Sequence, residues 1–221
     1  MKLTKFAQSC VLIETKDKRI LIDPGVIQYD ESLLIDYWYD IDVLLVTHKH
    51  TDHCHAEAIK AIMQNPKTKF YTSSEVANHY PELSLTKTVR AGEIINVEDI
   101  KIEVTNAVHG FQPFLKGGNE IHENIGFIVD GGEKRVYQTS DTISFDNDYR
   151  CDILFVPVCN HGLVMDPFSA TLFAKETGAS LVIPIHYDNP KFPADLDLVK
   201  KEFDKQQLNY KILSIKEFVE I

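Results

Sequence analysis

Val46-Thr47-His48-Lys49-His50-Thr51-Asp52-His53-Cys54-His55 follows the apolar run Asp42-Val43-Leu44-Leu45-Val46. That order launches imidazoles and a carboxylate from the end of what reads as a buried strand. Within His48–His53 the imidazoles fall at i, i+2 and i+5 and the carboxylate at i+4. A helix would aim the first two apart, whereas a loop lets all four converge. Neutral imidazole nitrogen and carboxylate oxygen are the donors taken by Zn²⁺ and neighbouring transition metals. The alternative is a His-rich solvated turn, and the rest of the chain has to decide between the two.

Working outward, three more ligand-type residues stand at the ends of expected strands. Residues 101–107 lead to His109-Gly110, residues 135–139 to Ser140-Asp141-Thr142, and residues 180–185 to His186-Tyr187. A lone histidine is ordinarily a satisfied polar residue, but a series of them at successive strand ends is a more specific pattern.

The remaining elements follow from periodicity and punctuation. Residues 6–15 and 19–23 flank a polar turn and predict a hairpin that ends at Asp23-Pro24-Gly25. Helices are expected over 28–39, 55–64, from the Ser73-Ser74-Glu75 cap to before Pro81, from Asp166-Pro167 to Gly178, and over 196–207. Further strands are expected at 42–46, 69–72, 88–89, 93–97, 125–130, 151–158 and 211–215, with 111–122 a loop. No short repeat or low-complexity segment interrupts them.

A chain of 221 residues is most simply one domain, 1–221. Its 44% hydrophobic and 25% charged residues are those of an ordinary globular protein. Lys plus Arg is 23 against 33 Asp plus Glu, a formal charge of −10 that does not favour nucleic acid or an anionic membrane surface. Cys10, Cys54, Cys151 and Cys159 form no C-x-x-C pair, and no cleavage site or membrane-length apolar run is evident. Reduced thiols and a cytoplasmic location are therefore expected.

The stretch His48-Lys49-His50-Thr51-Asp52-His53 resembles the H-x-H-x-D-H signature of the metallo-β-lactamase superfamily. Thr139-Ser140-Asp141-Thr142 resembles its Gly/Ser-Asp-Thr motif, and Ile183-Pro184-Ile185-His186-Tyr187 its terminal Pro-x-His-Tyr motif. The resemblance spans Ile22 to Tyr187 and implies an α/β fold, a four-layer αββα sandwich. It also implies two divalent ions, one held by His48, His50 and His109, the other by Asp52, His53 and His186, with Asp141 bridging. Zinc is the first choice, and Mn²⁺ or Fe²⁺ also suit mixed imidazole and carboxylate donors. The expected activity is hydrolysis of a small ester, lactone or phosphoester-type substrate by a metal-activated hydroxide, with Asp52 also orienting the nucleophile or relaying a proton.

His161 is the candidate for a substrate contact or general acid, against simple loop hydrogen bonding. Asp23 reads either as a support of the metal loop or as a turn cap. His55 reads either as a residue that supports a ligand from behind or as a helix start, His79 as a surface residue, and Cys54 as a small buried filler. The Asp-Thr motif and the Pro-Ile-His-Tyr ending resemble those of compact metal-dependent hydrolases related to ascorbate-6-phosphate lactonases, although Asp188-Asn189-Pro190 departs from the Gly-Thr-Phe-like stretch of many of them. The alternatives are a phosphodiesterase or nuclease-type hydrolase and a metal-binding module without turnover. A homo-oligomer is compatible with the sequence.

Overall fold

The β-branched and apolar runs of the N-terminal part pair into one sheet. The computed structural model describes residues 1–113, 116–144, 148–159 and 161–221. Its contacts group into two units, Met1–Arg90 with Ser214–Ile221, and Ala91–Leu213.

In the first unit, β1 (Lys2–Lys5), β2 (Val11–Thr15), β3 (Lys18–Ile22), β4 (Val43–Val46), β5 (Lys69–Thr72) and β6 (Lys87–Thr88) are neighbours in that order. The hairpin β2–β3 is antiparallel, and β3, β4 and β5 run parallel. Every residue of β4 is buried, as the uninterrupted Val43-Leu44-Leu45-Val46 run requires of a central parallel strand. Helices α1 (Ser32–Asp36), α2 (Ala56–Ile62) and α3 (Ser74–His79) supply Leu33, Ala58, Ile59, Ile62 and Val76 to a core shared with Leu12, Leu21, Leu44, Val46 and Phe70.

In the second unit, β7 (Ile94–Val97), β8 (Ile100–Ala107), β9 (Asn124–Asp130), β10 (Arg135–Gln138), β11 (Ile153–Pro157) and β12 (Leu181–Ile185) form a six-stranded sheet in sequence order. The strands are antiparallel from β7 to β10 and parallel from β10 to β12. Pro184 has no ladder N–H to give, and β12 is accordingly an edge strand of that sheet. Helix α4 (Pro167–Thr177) opens with Asp166, whose carboxylate accepts the Ser169 amide, and closes at Gly178 with φ +69°. Phe173 and Ala174 of α4 pack with Val199 and Phe203 of α5 (Leu196–Lys205) and with Leu154 and Val156.

Three expectations need correction. The helix expected over 28–39 is only α1, because Gln28 is left-handed (φ +54°) and the Asp30 side chain accepts the Ser32 amide, delaying the first turn. The strand expected over 211–215 is absent. Tyr210 makes one bridge to Val182, and the chain pairs later as β13 (Phe218–Glu220), antiparallel to the β1 edge. Within 6–15 only β2 is strand, while Lys2–Lys5, where no element was expected, forms β1. Of the loop expected over 111–122, Phe114 and Leu115 lie outside the described residues. Among the described residues no helix is long and apolar enough to cross a membrane.

Candidate metal centre

In the first unit, the His48–His53 segment is an irregular loop after β4, as its spacing demands. Buried Asp23 organises it. Its Oδ1 accepts the Thr47 amide, and its Oδ2 accepts the Thr47 hydroxyl and His53 Nδ1, each at 2.8 Å. A carboxylate only accepts, so His53 carries its proton on Nδ1. The Thr47 hydroxyl gives its proton to Asp23, so its oxygen accepts from His48 Nδ1 at 3.0 Å. Both rings therefore present the Nε2 lone pair to a ligand, a tautomer assignment that follows from the hydrogen-bond network. The ring centres of His48 and His53 are 4.0 Å apart, and those of His48 and His50 are 4.9 Å apart. Four ligand-type side chains thus converge within one loop.

The loop is held from outside as well. Gln8 Nε2 donates to Asp52 Oδ2 at 3.0 Å, Val26 N to Thr51 O at 2.9 Å, and His55 N to Pro24 O at 2.9 Å. A Cβ on Gly25 would lie 1.8 Å from the Asp52 carbonyl oxygen, so this approach requires glycine. Lys49 pairs with Glu75 at 2.7 Å, and its carbonyl accepts the Tyr80 hydroxyl at 3.0 Å.

In the second unit, the three expected ligands leave three different strands. His109 follows β8, and its Nδ1 donates to the Gly110 carbonyl at 2.6 Å, again presenting Nε2. Asp141 follows β10, and His186 follows β12. His186 Nε2 and His109 Nε2 lie 3.0 and 3.7 Å from Asp141 Oδ2. Asn124 fixes the Asp141 turn by accepting the Ser140 hydroxyl at 2.6 Å and donating to the Asp141 carbonyl. Asp23, Ser140 and His186 have φ of +54°, +65° and +60°. Such backbone costs on the order of 1–3 kcal/mol per residue and persists where surroundings over-determine it.

His161 sits on the turn after β11, half-buried, its Nδ1 accepting the Leu163 amide at 3.4 Å and its ring 5.6 Å from that of His186. Gln112 Nε2 donates to the His161 carbonyl at 3.1 Å, and Gly110 N to Leu163 O at 2.8 Å, tying this turn to the His109 strand end. Cys159, buried beside both imidazoles, would be raised by burial alone. Hydrogen bonds and charge from His161 and His186 outweigh that and bring its thiol to about 6. Cys54 is the opposite case: burial and the nearby Asp23 push its thiol far up, and it packs in the apolar core with Leu44 and Ala58.

His55 caps α2, its Nδ1 accepting the Ala58 amide at 3.0 Å, and His79 and His122 are exposed. Sequence reasoning missed Gln8, Asn124 and Cys159. A left-handed Gln8 (φ +56°) at the tip before β2 leaves no trace in periodicity, and Asn124 and Cys159 acquire meaning only from neighbours far along the chain.

The donor chemistry fits divalent transition metals. Both units offer imidazole Nε2 atoms whose Nδ1 atoms are anchored, together with carboxylates, and this anchoring is what orients metal-ligating histidine.

Residues 2–186 match the family described as the β-lactamase superfamily domain. A metal-dependent hydrolase of Korarchaeum cryptofilum is 28% identical over 98% of this chain and 96% of its own length. Among solved structures, a metallo hydrolase of Ignicoccus hospitalis superposes with a TM-score of 0.77 at 23% identity, covering 99% of this chain and 97% of that one. The metallo-β-lactamase fold protein YhfI of Bacillus subtilis gives 0.76 at 18%, over 99% and 98%. The metallo-β-lactamase fold expected from the motifs is the fold named for YhfI, and the two-sheet α/β composition agrees with it.

Proposed function

The chain belongs to the β-lactamase superfamily domain family, and from that premise we propose that this metal-dependent hydrolase works through a dinuclear centre. His48, His50 and His109 would hold one ion, Asp52, His53 and His186 the other, and Asp141 would serve both. Zinc suits the imidazole-rich set best, with Mn²⁺ or Fe²⁺ as alternatives. When bound, the ions supply a hydroxide nucleophile at neutral pH and Lewis acidity towards the substrate oxygen.

The chain's own groups do the rest. Gln8 fixes the Asp52 carboxylate through Oδ2, so that Oδ1 can orient the attacking water and take its proton. Because His161 Nδ1 accepts the Leu163 amide, its Nε2 carries the proton and can donate it to the leaving group. The substrate class is a small molecule with an ester, lactone or phosphoester bond, all of which the same nucleophile opens.

The observation that carries this reading is buried Asp23, which sets His53 directly, and His48 through Thr47, in the ligating tautomer. Elemental analysis of protein purified without chelator tests it, with Asp141→Ala beside the wild type. About two transition-metal ions per chain are expected, at least one of them lost in the variant. No metal after supplementation would overturn the proposal, and one ion retained by both proteins would remove Asp141 from its bridging place.

A further inference from the structure

Cys159, His161 and His186 form a donor set that the hydrolytic reading leaves unused as a set. One ligand atom from each, Sγ and two imidazole nitrogens, lies within 4.8 Å of the other two. All three belong to the second unit, so the set is complete there. Cys159 is 2% exposed, two residues past the end of β11, and its Sγ donates to the Phe192 carbonyl at 3.2 Å. His186 is 3% exposed, and His161 is half-buried on a turn whose next residue, Gly162, has φ +83°.

Thiolate with two imidazoles is the donor combination of soft and borderline cations, and hard cations such as Mg²⁺ or Ca²⁺ do not favour it. With metal–sulfur and metal–nitrogen bonds of about 2.3 and 2.0 Å, tetrahedral donors stand roughly 3.5 Å apart. Closing from the present spacing takes on the order of 1 Å of movement, which the His161 side chain can supply from its Gly162 turn.

We propose that Cys159, His161 and His186 form an alternative site for one thiophilic cation, of the Zn²⁺, Cd²⁺ or Cu⁺ class, which shares His186 with the proposed hydrolytic centre. Binding converts the Cys159 thiol to a thiolate and releases one proton to solvent, with no change of oxidation state. Occupation engages His186, whose Nε2 otherwise faces Asp141, and His161. An ion here therefore withdraws two groups that the proposed reaction uses, which makes the site an inhibitory one. The existence of the site does not depend on the hydrolase reading; only its inhibitory consequence does.

Cd²⁺ titration of the purified, metal-loaded protein tests it, read by the sulfur-to-cadmium charge-transfer absorption in the ultraviolet. The band should rise to one equivalent in the wild type and in Cys54→Ser. It should disappear in Cys159→Ser and require at least tenfold more Cd²⁺ in His161→Ala, with folding of each variant checked by circular dichroism. His109→Ala, which removes a ligand of the proposed hydrolytic centre only, should keep the band whether or not the protein turns over any substrate. No band in the wild type, a band surviving in Cys159→Ser, or an unchanged titration in folded His161→Ala would overturn the proposal.

Discussion

The two units place their candidate ligands in opposite ways. The first takes four donors from one loop, and a side chain, Asp23, sets the tautomers of His48 and His53. The second takes His109, Asp141 and His186 from the ends of β8, β10 and β12, and the acceptor that orients His109 is the backbone carbonyl of Gly110. A contiguous loop concentrates its dependence on a few neighbours that mutation can reach. A dispersed set spreads that dependence over a sheet, and part of its support has no side chain to replace.

Both units rely on a glycine where backbone meets backbone, and substitution there should have the largest effect. A Cβ on Gly25 would meet the Asp52 carbonyl oxygen at 1.8 Å, and one on Gly110 would meet the Gly162 carbonyl oxygen at 2.2 Å. Overpacking of this kind costs typically about 1–3 kcal/mol. Urea unfolding of Gly25→Ala and Gly110→Ala should show losses in that range, with loss of bound metal in each. Wild-type metal content in Gly25→Ala would mean that the loop tolerates displacement, and the contrast between the units would weaken.

A smaller and more selective effect is expected from Asp23→Asn. The amide keeps one acceptor but replaces the other with a donor facing Thr47 or His53, so the ligating tautomer loses support. Loss of such an orienting partner typically weakens metal affinity about 10–100-fold. Competition against a chromophoric chelator should show that drop with the fold retained, and equal affinity in wild type and variant would reduce Asp23 to a turn cap.

The smallest effect should come from His55→Ala, which removes the α2 cap made through the Ala58 amide. About 0.5–2 kcal/mol of stability should be lost, visible as a lower urea midpoint, with metal content unchanged. Metal loss in this variant would make His55 more than a cap.

The same contrast explains what could be read before folding. The His48–His53 loop was legible because its donors are neighbours in sequence and its spacing excludes a helix. The ends of β8, β10 and β12 were legible through the apolar runs that deliver them. Helix α4 was legible from Asp166, Pro167 and Gly178, because capping and left-handed termination are local chemistry. The strand expected over 211–215 failed because its apolar residues are satisfied without a ladder, and β1 was overlooked because Lys2–Lys5 alternates weakly and gains its partners from β2 and β13. The helix over 28–39 shrank because an Asp30 side chain competed with the backbone for the first turn.

The sequence by itself determined the fold family, the order of the strands that end at candidate ligands, and the residue types those ends offer. These follow from periodicity and local turn chemistry, which act over a few residues. Only the tertiary structure decided that Asp23 orients two imidazoles, that Gln8 holds Asp52, that Asn124 locks the Asp141 turn, and that Cys159 lies close to both His161 and His186. Hydrogen bonds and donor sets of that kind join residues tens of positions apart. Their strength depends on distances of a few tenths of an ångström, set only when the sheets and helices pack.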